Sequence, residues 1–378
     1  MSGGESHPLT TKPDRVNSSA ADAAPLKILY ASGLSANDSS LYRVWALERL
    51  GHRVIRFDSN QYRHKNRLLN RIAFHLSAGP QFEKLNRDLL RLARAERADI
   101  LWADKVLQLQ PRTLKELRSM GVVTVGYMPD NPFGTRRDPG WRLYLKSIPW
   151  FDLHVVPRER NIAEYKARGA KDVMTVQFAY EPTIHFPPPE GWSDANRDRE
   201  VSFIGTPYDE RAEFLTKLWR DYGVQVTISG TERFWRKALP ADAFTALFRD
   251  GELYLREYRE GIWRSKINLS FLTHSNQDEF AHKSFEIAGC GSFLLAERSP
   301  GHSARFKEDE EAVFFSTIEE CAEKIRRWLP DEAGRARIAA QGAARAKASG
   351  YHNDAQVAAI LRRLEGIIPR AGERATRT

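Results

Sequence analysis

The chain predicts two doubly wound α/β units in succession. Three observations carry that reading. Apolar, strand-length runs alternate with amphipathic helical stretches along most of the sequence. The alternation is broken once, by the proline- and charge-rich stretch Pro182–Arg199 (PTIHFPPPEGWSDANRDR). The length, 378 residues, suits two domains better than one.

Taken in order, Leu26–Ala31 (LKILYA) has the continuous apolar character of a strand covered on both faces. A loop with Gly33 and Ser35–Ser39 follows, then an amphipathic helix over Ser40–Leu50 that stops at Gly51, then a strand over His52–Asp58. This β-loop-α-β order implies parallel pairing with a right-handed crossover. Helical spacing marks Arg67–His75 and Gln81–Ala95. Strands at Ile100–Ala103, Val122–Tyr127 and Leu153–Val156 alternate with helices at Pro111–Met120 and Leu143–Ser147. A helix at Asn161–Arg168 and a strand at Val173–Gln177 complete the first unit.

After Pro182–Arg199 the alternation resumes. Strands are expected at Val201–Ile204, Val224–Ser229, Lys266–Ser270 and Val313–Phe315, and helices at Arg211–Tyr222, Ala241–Leu247 and Ile318–Leu329. The stretch Asp278–Glu297 (DEFAHKSFEIAGCGSFLLAE) reads as a helix, a glycine turn and a strand over Ser292–Ala296. Helices at Asp331–Ala348 and Asp354–Ile368 close the chain. The expected organisation is a tail at 1–25, a first domain at 26–181, a linker at 182–199 and a second domain at 200–350. A helix at 351–370 then crosses back to the first domain, ahead of a tail at 371–378. Two such domains on one linker suit a cleft enzyme, with its ligands at the carboxyl ends of the strands.

Composition narrows the class. The 58 Lys and Arg against 49 Asp and Glu leave a net charge of +9, which suits an anionic partner or a plain basic surface. Two cysteines, Cys290 and Cys321, exclude a disulfide framework and a cysteine-built zinc cluster. The ten histidines show no metal-ligand spacing. No apolar run approaches the ~20 residues that span a bilayer, and the N-terminus lacks the apolar core of a secretory signal. A cytoplasmic protein is expected, with peripheral association at the inner membrane face as an option. No HExxH, GxSxG, P-loop or full GxGxxG signature occurs.

Several residues have the chemistry of an anion and hydroxyl site. Helix N-termini seat phosphates, and Glu286 would lie inside the helix that follows Asp278-Glu279. His282 and Lys283 precede it by four and three residues and so share its face; the ordinary alternative is a helical ion pair. Gly205-Thr206 ends a strand, where a diphosphate could approach the backbone, and Arg211 and Lys217 follow as cations; a plain strand–turn–helix is the alternative. Lys266 reads equally as a phosphate ligand or a strand-edge charge. Asp130-Asn131 stands between two prolines at a strand's carboxyl end. It could bind an acceptor hydroxyl, with Asp130 as a base, or close an Asx turn. Gly33 could line the cleft from that side. Tyr258 and Trp263 could stack a base or pack in the core.

The run Trp263–Arg298, WRSKINLSFLTHSNQDEFAHKSFEIAGCGSFLLAER, resembles the signature of the CgeB-type (spore maturation protein-like) glycosyltransferases, which reads approximately SKI-LN…H…DG…R-FEI-ACGGFLLTE. Phe306–Phe315 (FKEDEEAVFF) and Arg335–Tyr351 resemble two further segments of that family, and Phe203-Ile204-Gly205-Thr206 with Tyr208 and Arg211 also fits. The resemblance covers about the last third of the chain. It implies a GT-B fold, two Rossmann-like domains facing a central cleft, related to the retaining transferases with an acid–seven residues–acid motif. That motif would map onto Asp278 and Glu286.

By that resemblance Glu286 binds the donor ribose, Asp278 or Glu279 the sugar hydroxyls, and Arg211 with Lys217 or Lys266 the diphosphate. Lys283 and the backbone near Gly291 assist. Lys283 stands where the family has Arg, Gly289 where it has Pro or Ala, and Asp278-Glu279 where it has Asp-Gly. The implied activity is transfer of a hexosyl group from a nucleotide diphosphate-sugar, a UDP-sugar being favoured, to a glycan, lipid-linked or protein hydroxyl. Retention of configuration, no metal, no cofactor beyond the donor and no nucleic-acid partner are expected. The rivals are a nucleotide-sugar epimerase on the same fold and a non-catalytic binder of anionic glycan or nucleic acid.

Overall fold

The computed structural model describes residues 25–35, 38–135 and 139–368, so both expected tails lie outside the described residues apart from Pro25. Six strands build the first sheet: β1 (Lys27–Ser32), β2 (Arg53–Asp58), β3 (Ile100–Asp104), β4 (Val123–Tyr127), β5 (Leu153–Val156) and β6 (Val173–Thr175). They run parallel in the order β2-β1-β3-β4-β5-β6. Residues of β3, β4 and β5 are buried throughout, which is why these segments read as continuous apolar runs.

A second parallel sheet follows: β7 (Arg199–Ile204), β8 (Val226–Ser229), β9 (Phe248–Asp250), β10 (Ser265–Ser270), β11 (Leu294–Glu297) and β12 (Val313–Phe315). Its order is β12-β11-β10-β7-β8-β9. Each sheet reverses its winding once, between β1 and β3 and between β7 and β10. At such switch points the strand ends splay and leave a crevice for ligands.

Four strands and α-helices escaped the sequence reading: β9 and the helices Glu232–Ala238, Leu255–Trp263 and Pro300–Ser303. β9 carries Arg249 and Asp250 on a sheet edge, and the helices Glu232–Ala238 and Pro300–Ser303 are only seven and four residues long. The helix expected from Asp278 starts at His282 instead, because Asp278 is drawn into a contact with the first sheet's side of the molecule. The stretch 182–199 is not a loose tether. His185 is buried, Arg335 donates to Asp194 at 2.5 Å, the Trp192 indole donates to the Trp263 carbonyl at 3.2 Å, and Arg199 already belongs to β7.

The chain returns to the first sheet at its C-terminal end. The helix Asn353–Leu364 places Val357, Ile360 and Leu364 in one core with Ile28, Tyr30, Val44 and Leu47. The outgoing and returning segments meet at Tyr180. Its N–H donates to the Tyr351 carbonyl at 3.0 Å, and its carbonyl accepts from the Asn353 N–H and Nδ2, both at 3.0 Å. The Tyr180 ring lies so close to the helix His282–Gly289 that a Cβ at Gly289 would sit 2.7 Å from it. That contact gives Gly289 a physical reason.

Three buried imidazoles are held neutral. His154 and His302 are pushed down to about 4 by burial, and so is His185, against the pull of Glu286. In His302, Nδ1 donates to the Glu297 carbonyl and Nε2 accepts from the Ala281 N–H. A histidine with a depressed folded-state pKa stabilises the fold fully above its unfolded value of ~6.5 and loses that contribution as pH falls to the folded value. Urea unfolding should therefore show stability dropping between pH 6.5 and 4, with about three protons taken up on unfolding. His154→Gln should remove about one of them.

Candidate active site

The carboxyl ends of both sheets face one cavity of about 870 Å³. The first sheet contributes Ser32, Gly33, Asp104, Lys105, Asp130 and Asn131, and the second side contributes Phe203, Tyr208, Arg211, Lys283 and Glu286.

On the second side, Lys283 and Glu286 stand one turn apart on the helix His282–Gly289. They are joined through Tyr258: the Lys283 ammonium donates to the Tyr258 oxygen at 2.9 Å, and that hydroxyl donates to Glu286 Oε2 at 2.6 Å. Two imidazole nitrogens stand near Glu286 Oε1, His282 at 3.7 Å and His185 at 3.9 Å. Burial works against ionisation of Glu286, but His282, His185, Lys283 and the Tyr258 hydroxyl outweigh it and hold the carboxyl at about 2. Burial pulls Lys283 down to about 8, with Glu286 opposing and the neighbouring Arg211 reinforcing the shift.

Arg211 begins its own helix, Arg211–Tyr222. Its guanidinium donates to the Thr206 carbonyl at 3.1 Å, the Leu272 carbonyl at 2.9 Å and the Thr273 hydroxyl at 2.9 Å. Its buried Nε has no partner, and no carboxylate forms an ion pair with it among the described residues. Gly205 makes room for the Phe203 ring, which would lie 3.0 Å from a Cβ there; Lys283 Cε would be at an ordinary 3.6 Å. The second side thus holds two half-buried cations, neither with a carboxylate bound directly to it among the described residues.

On the first side, Asp104 is fully enclosed and accepts from Arg43 Nε at 2.6 Å and from the Tyr30 hydroxyl at 2.5 Å. Arg43 also lies 4.4 Å from the centre of the Tyr127 ring. This cluster floors the cleft at the β1/β3 switch point. Above it Lys105 pairs with Asp130 at 2.6 Å, and both remain solvent-accessible.

The loop 273–278 bridges the two sides. Asn276 Oδ1 accepts from the Asn131 N–H at 2.8 Å, Gln277 Oε1 accepts from Asn131 Nδ2 at 3.0 Å, and Arg158 pairs with Asp278. Arg158 is 1% exposed, and its second nitrogen donates to the Pro129 carbonyl at 2.9 Å. Burial raises Asp278, against the Arg158 charge.

Asp130, Asn131, Gly33, Arg211, Asp278, Lys283 and Glu286 therefore share the cleft. Gly205 and Thr206 support it from behind through the contacts just described. Asp278 is committed to Arg158 and Asn276 rather than left open to a ligand.

Four expected residues are placed elsewhere. Lys217 is half-exposed and pairs with Glu213 at 2.7 Å, one turn along the outer face of its helix. Lys266 lies at the amino end of β10, the end away from the cleft, with Asp194 at 3.9 Å. Gly291 follows the C-terminus of the helix His282–Gly289, with φ +58° and Pro187 against it, and its N–H is taken by the Ala288 carbonyl, so it offers the cleft no N–H group. Glu279 turns its backbone to Ser299 and Gly301 and does not line the cavity.

His185, Arg158, Arg43 and Asp104 carried no signal of their own. Their charged partners lie 61 to 120 residues away, beyond any local pattern. Tyr258 had been weighed only as a stacking or core ring, yet its hydroxyl links Lys283 to Glu286.

Residues 210–362 match a family model described as glycosyl transferase-like. No curated protein sequence matches the chain. Among solved structures, sucrose-phosphate synthase from Thermosynechococcus elongatus superposes with a TM-score of 0.67 at 12% identity, over 90% of this chain and 99% of that one. Anabaena HepE in complex with UDP and glucose gives 0.62 at 13% identity, over 90% and 100%. The α,α-trehalose 6-phosphate synthase from Burkholderia multivorans gives 0.59 at 11% identity, over 91% and 99%. The chain thus has the GT-B fold of glycosyltransferases, and its second half carries a glycosyl transferase-like domain. The finer likeness to the CgeB type rests on the sequence motifs.

Breaking the bridge between the sides should be costly. Arg158→Ala leaves Asp278 buried without its counter-charge, so thermal or urea unfolding should show a loss of about 3–5 kcal/mol.

Proposed function

We propose that this protein is a retaining, metal-independent glycosyltransferase that uses a nucleotide diphosphate-sugar, preferentially a UDP-sugar. The observation that carries the proposal is the pair Arg211 and Lys283. Two half-buried cations, with no carboxylate bound directly to either among the described residues, face a cleft at the β7/β10 switch point. Like charges in such a place are unfavourable alone and are relieved by an anion between them. The complex of HepE with UDP-glucose shows that the fold takes such a ligand in another protein.

In this reading the donor diphosphate sits between Arg211 and Lys283. Ionised Glu286 uses Oε1, which has no close donor of its own, to accept ribose hydroxyls; Tyr258 occupies Oε2 and fixes the rotamer. The bond from the anomeric carbon to the diphosphate oxygen breaks, and its electron pair goes to the diphosphate. Arg211 and Lys283 neutralise that growing charge, the work that a metal ion does elsewhere. The acceptor oxygen bonds to the anomeric carbon, and its proton leaves to Asp130 or to the diphosphate. Acceptor recognition falls to Gly33, Asp130 and Asn131, on the opposite wall.

The reaction can be followed by NMR with a panel of nucleotide sugars. Donor consumption that requires an acceptor is the expected result. A new sugar formed without acceptor would make the protein an epimerase, and no nucleotide-sugar binding would remove both readings.

Arg211→Ala and Lys283→Ala should each lower turnover by about 10²-fold, the scale of losing one transition-state donor. Lys217→Ala, on the outer face, should leave it unchanged. Because Lys283 titrates at about 8, UDP affinity should fall as pH rises from 8 to 9.5. Calorimetry should show that dependence, and Lys283→Gln should lack it.

A further inference from the structure

The helix Arg67–Leu76 presents its apolar face to solvent. Leu68 and Leu76 are 66% and 65% exposed, and Leu69 and Ile72 are 45% exposed. At the helical step of ~100° per residue, these four side chains share one arc about 100° wide. Four large apolar residues uncovered together are unusual on a soluble surface. Arg67, Arg71 and His75 flank the arc on one side. The opposite face is occupied: Asn70, Ala73 and Phe74 line the cleft. Phe74 also lies against Gly140, where a Cβ would come within 2.6 Å of its ring.

The charge around this helix has one sign. From Ser59 to Phe82 the sequence has Arg63, Lys65, Arg67 and Arg71 and no Asp or Glu. None of the four cations is in an ion pair among the described residues. No helix among the described residues is long and apolar enough to cross a membrane. A basic, amphipathic helix with an uncovered apolar stripe has the chemistry of an element that lies in the plane of an anionic bilayer.

We propose that the helix Arg67–Leu76 docks this protein on an anionic phospholipid surface. Leu68, Leu69, Ile72 and Leu76 enter the boundary between headgroups and acyl chains, and Arg63, Lys65, Arg67 and Arg71 meet lipid phosphates. A second copy of the chain suits the face less well, because a two-fold contact would bring these unpaired cations towards each other. Nucleic acid would meet the cations and leave the leucines in water. The inner face of the same helix lines the cleft, so docking would set the cleft against the bilayer surface. If the transferase reading holds, its acceptor is then a hydroxyl of a lipid headgroup or a lipid-linked glycan. That last step rests on the proposed function; the docking does not.

The test is co-sedimentation of the full chain with vesicles of phosphatidylglycerol and phosphatidylcholine, and with phosphatidylcholine alone. Binding to the anionic vesicles that weakens with added salt is expected. Leu68→Gln combined with Leu76→Gln should reduce it by about tenfold or more, with circular dichroism and UDP affinity unchanged. Arg67→Gln combined with Arg71→Gln should bring anionic and neutral vesicles closer together. Absence of vesicle binding, or binding that ignores the leucine changes, would overturn the proposal. So would a dimer, seen by light scattering, that the leucine changes dissolve, since it would assign the face to a second copy. UDP binding measured on the same samples reports on the donor site separately, so either idea can fail alone.

Discussion

The chain passes between its two sheets twice, and both passages are tied to Tyr180. The backbone of that residue bonds to Tyr351 and Asn353, so the outgoing and returning segments are held side by side. Its ring packs on Gly289 at the end of the helix that carries Lys283 and Glu286. Glu181, the next residue, is buried and pairs with Arg49, which also pairs with Asp354 on the returning helix. One crossing point therefore sets where the helix His282–Gly289 stands relative to the first sheet. The loop 273–278 adds a second tie through Arg158 and Asn131. Without these ties the two switch points would not open onto one cavity.

Electrostatics within that cavity follow from enclosure. Partly buried Glu286 stays ionised because two imidazoles, an ammonium and a phenol surround it. Lys283 and Arg211 have no such compensation from a directly bound carboxylate. Their charge is left facing open space at the end of a sheet, which is the arrangement that an anionic ligand completes. On the opposite wall the charges already cancel: Arg43 with Asp104, and Lys105 with Asp130. The two walls thus differ in kind. One leaves positive charge without a directly bound carboxylate among the described residues, and the other is balanced within itself.

How much was legible follows from the range of each signal. Periodicity acts over a few residues, so β1 to β8 and β10 to β12 were readable, and the charged edge strand β9 was not. The motif around Glu286 was readable because helix geometry places Lys283 beside it. Lys217 misled because spacing along a helix says nothing of which face meets the cleft, and that face was taken by Glu213 and solvent. Lys266 misled because the end of the strand that faces the cleft is decided by strand direction, and the lysine lies at the other end. Asp278 was expected at the sugar and is spent on Arg158, 120 residues away.

The sequence by itself determined the two α/β halves and the glycine turn after the helix His282–Gly289. These depend on local periodicity and on backbone freedom, both carried by neighbouring residues. Only the tertiary structure decided which cations meet, that Tyr258 joins Lys283 to Glu286, and that His185 and Arg158 belong to the site. It also decided that the apolar side of Arg67–Leu76 is left uncovered. Those outcomes depend on which surfaces come together across the fold, and no stretch of neighbouring residues contains that information.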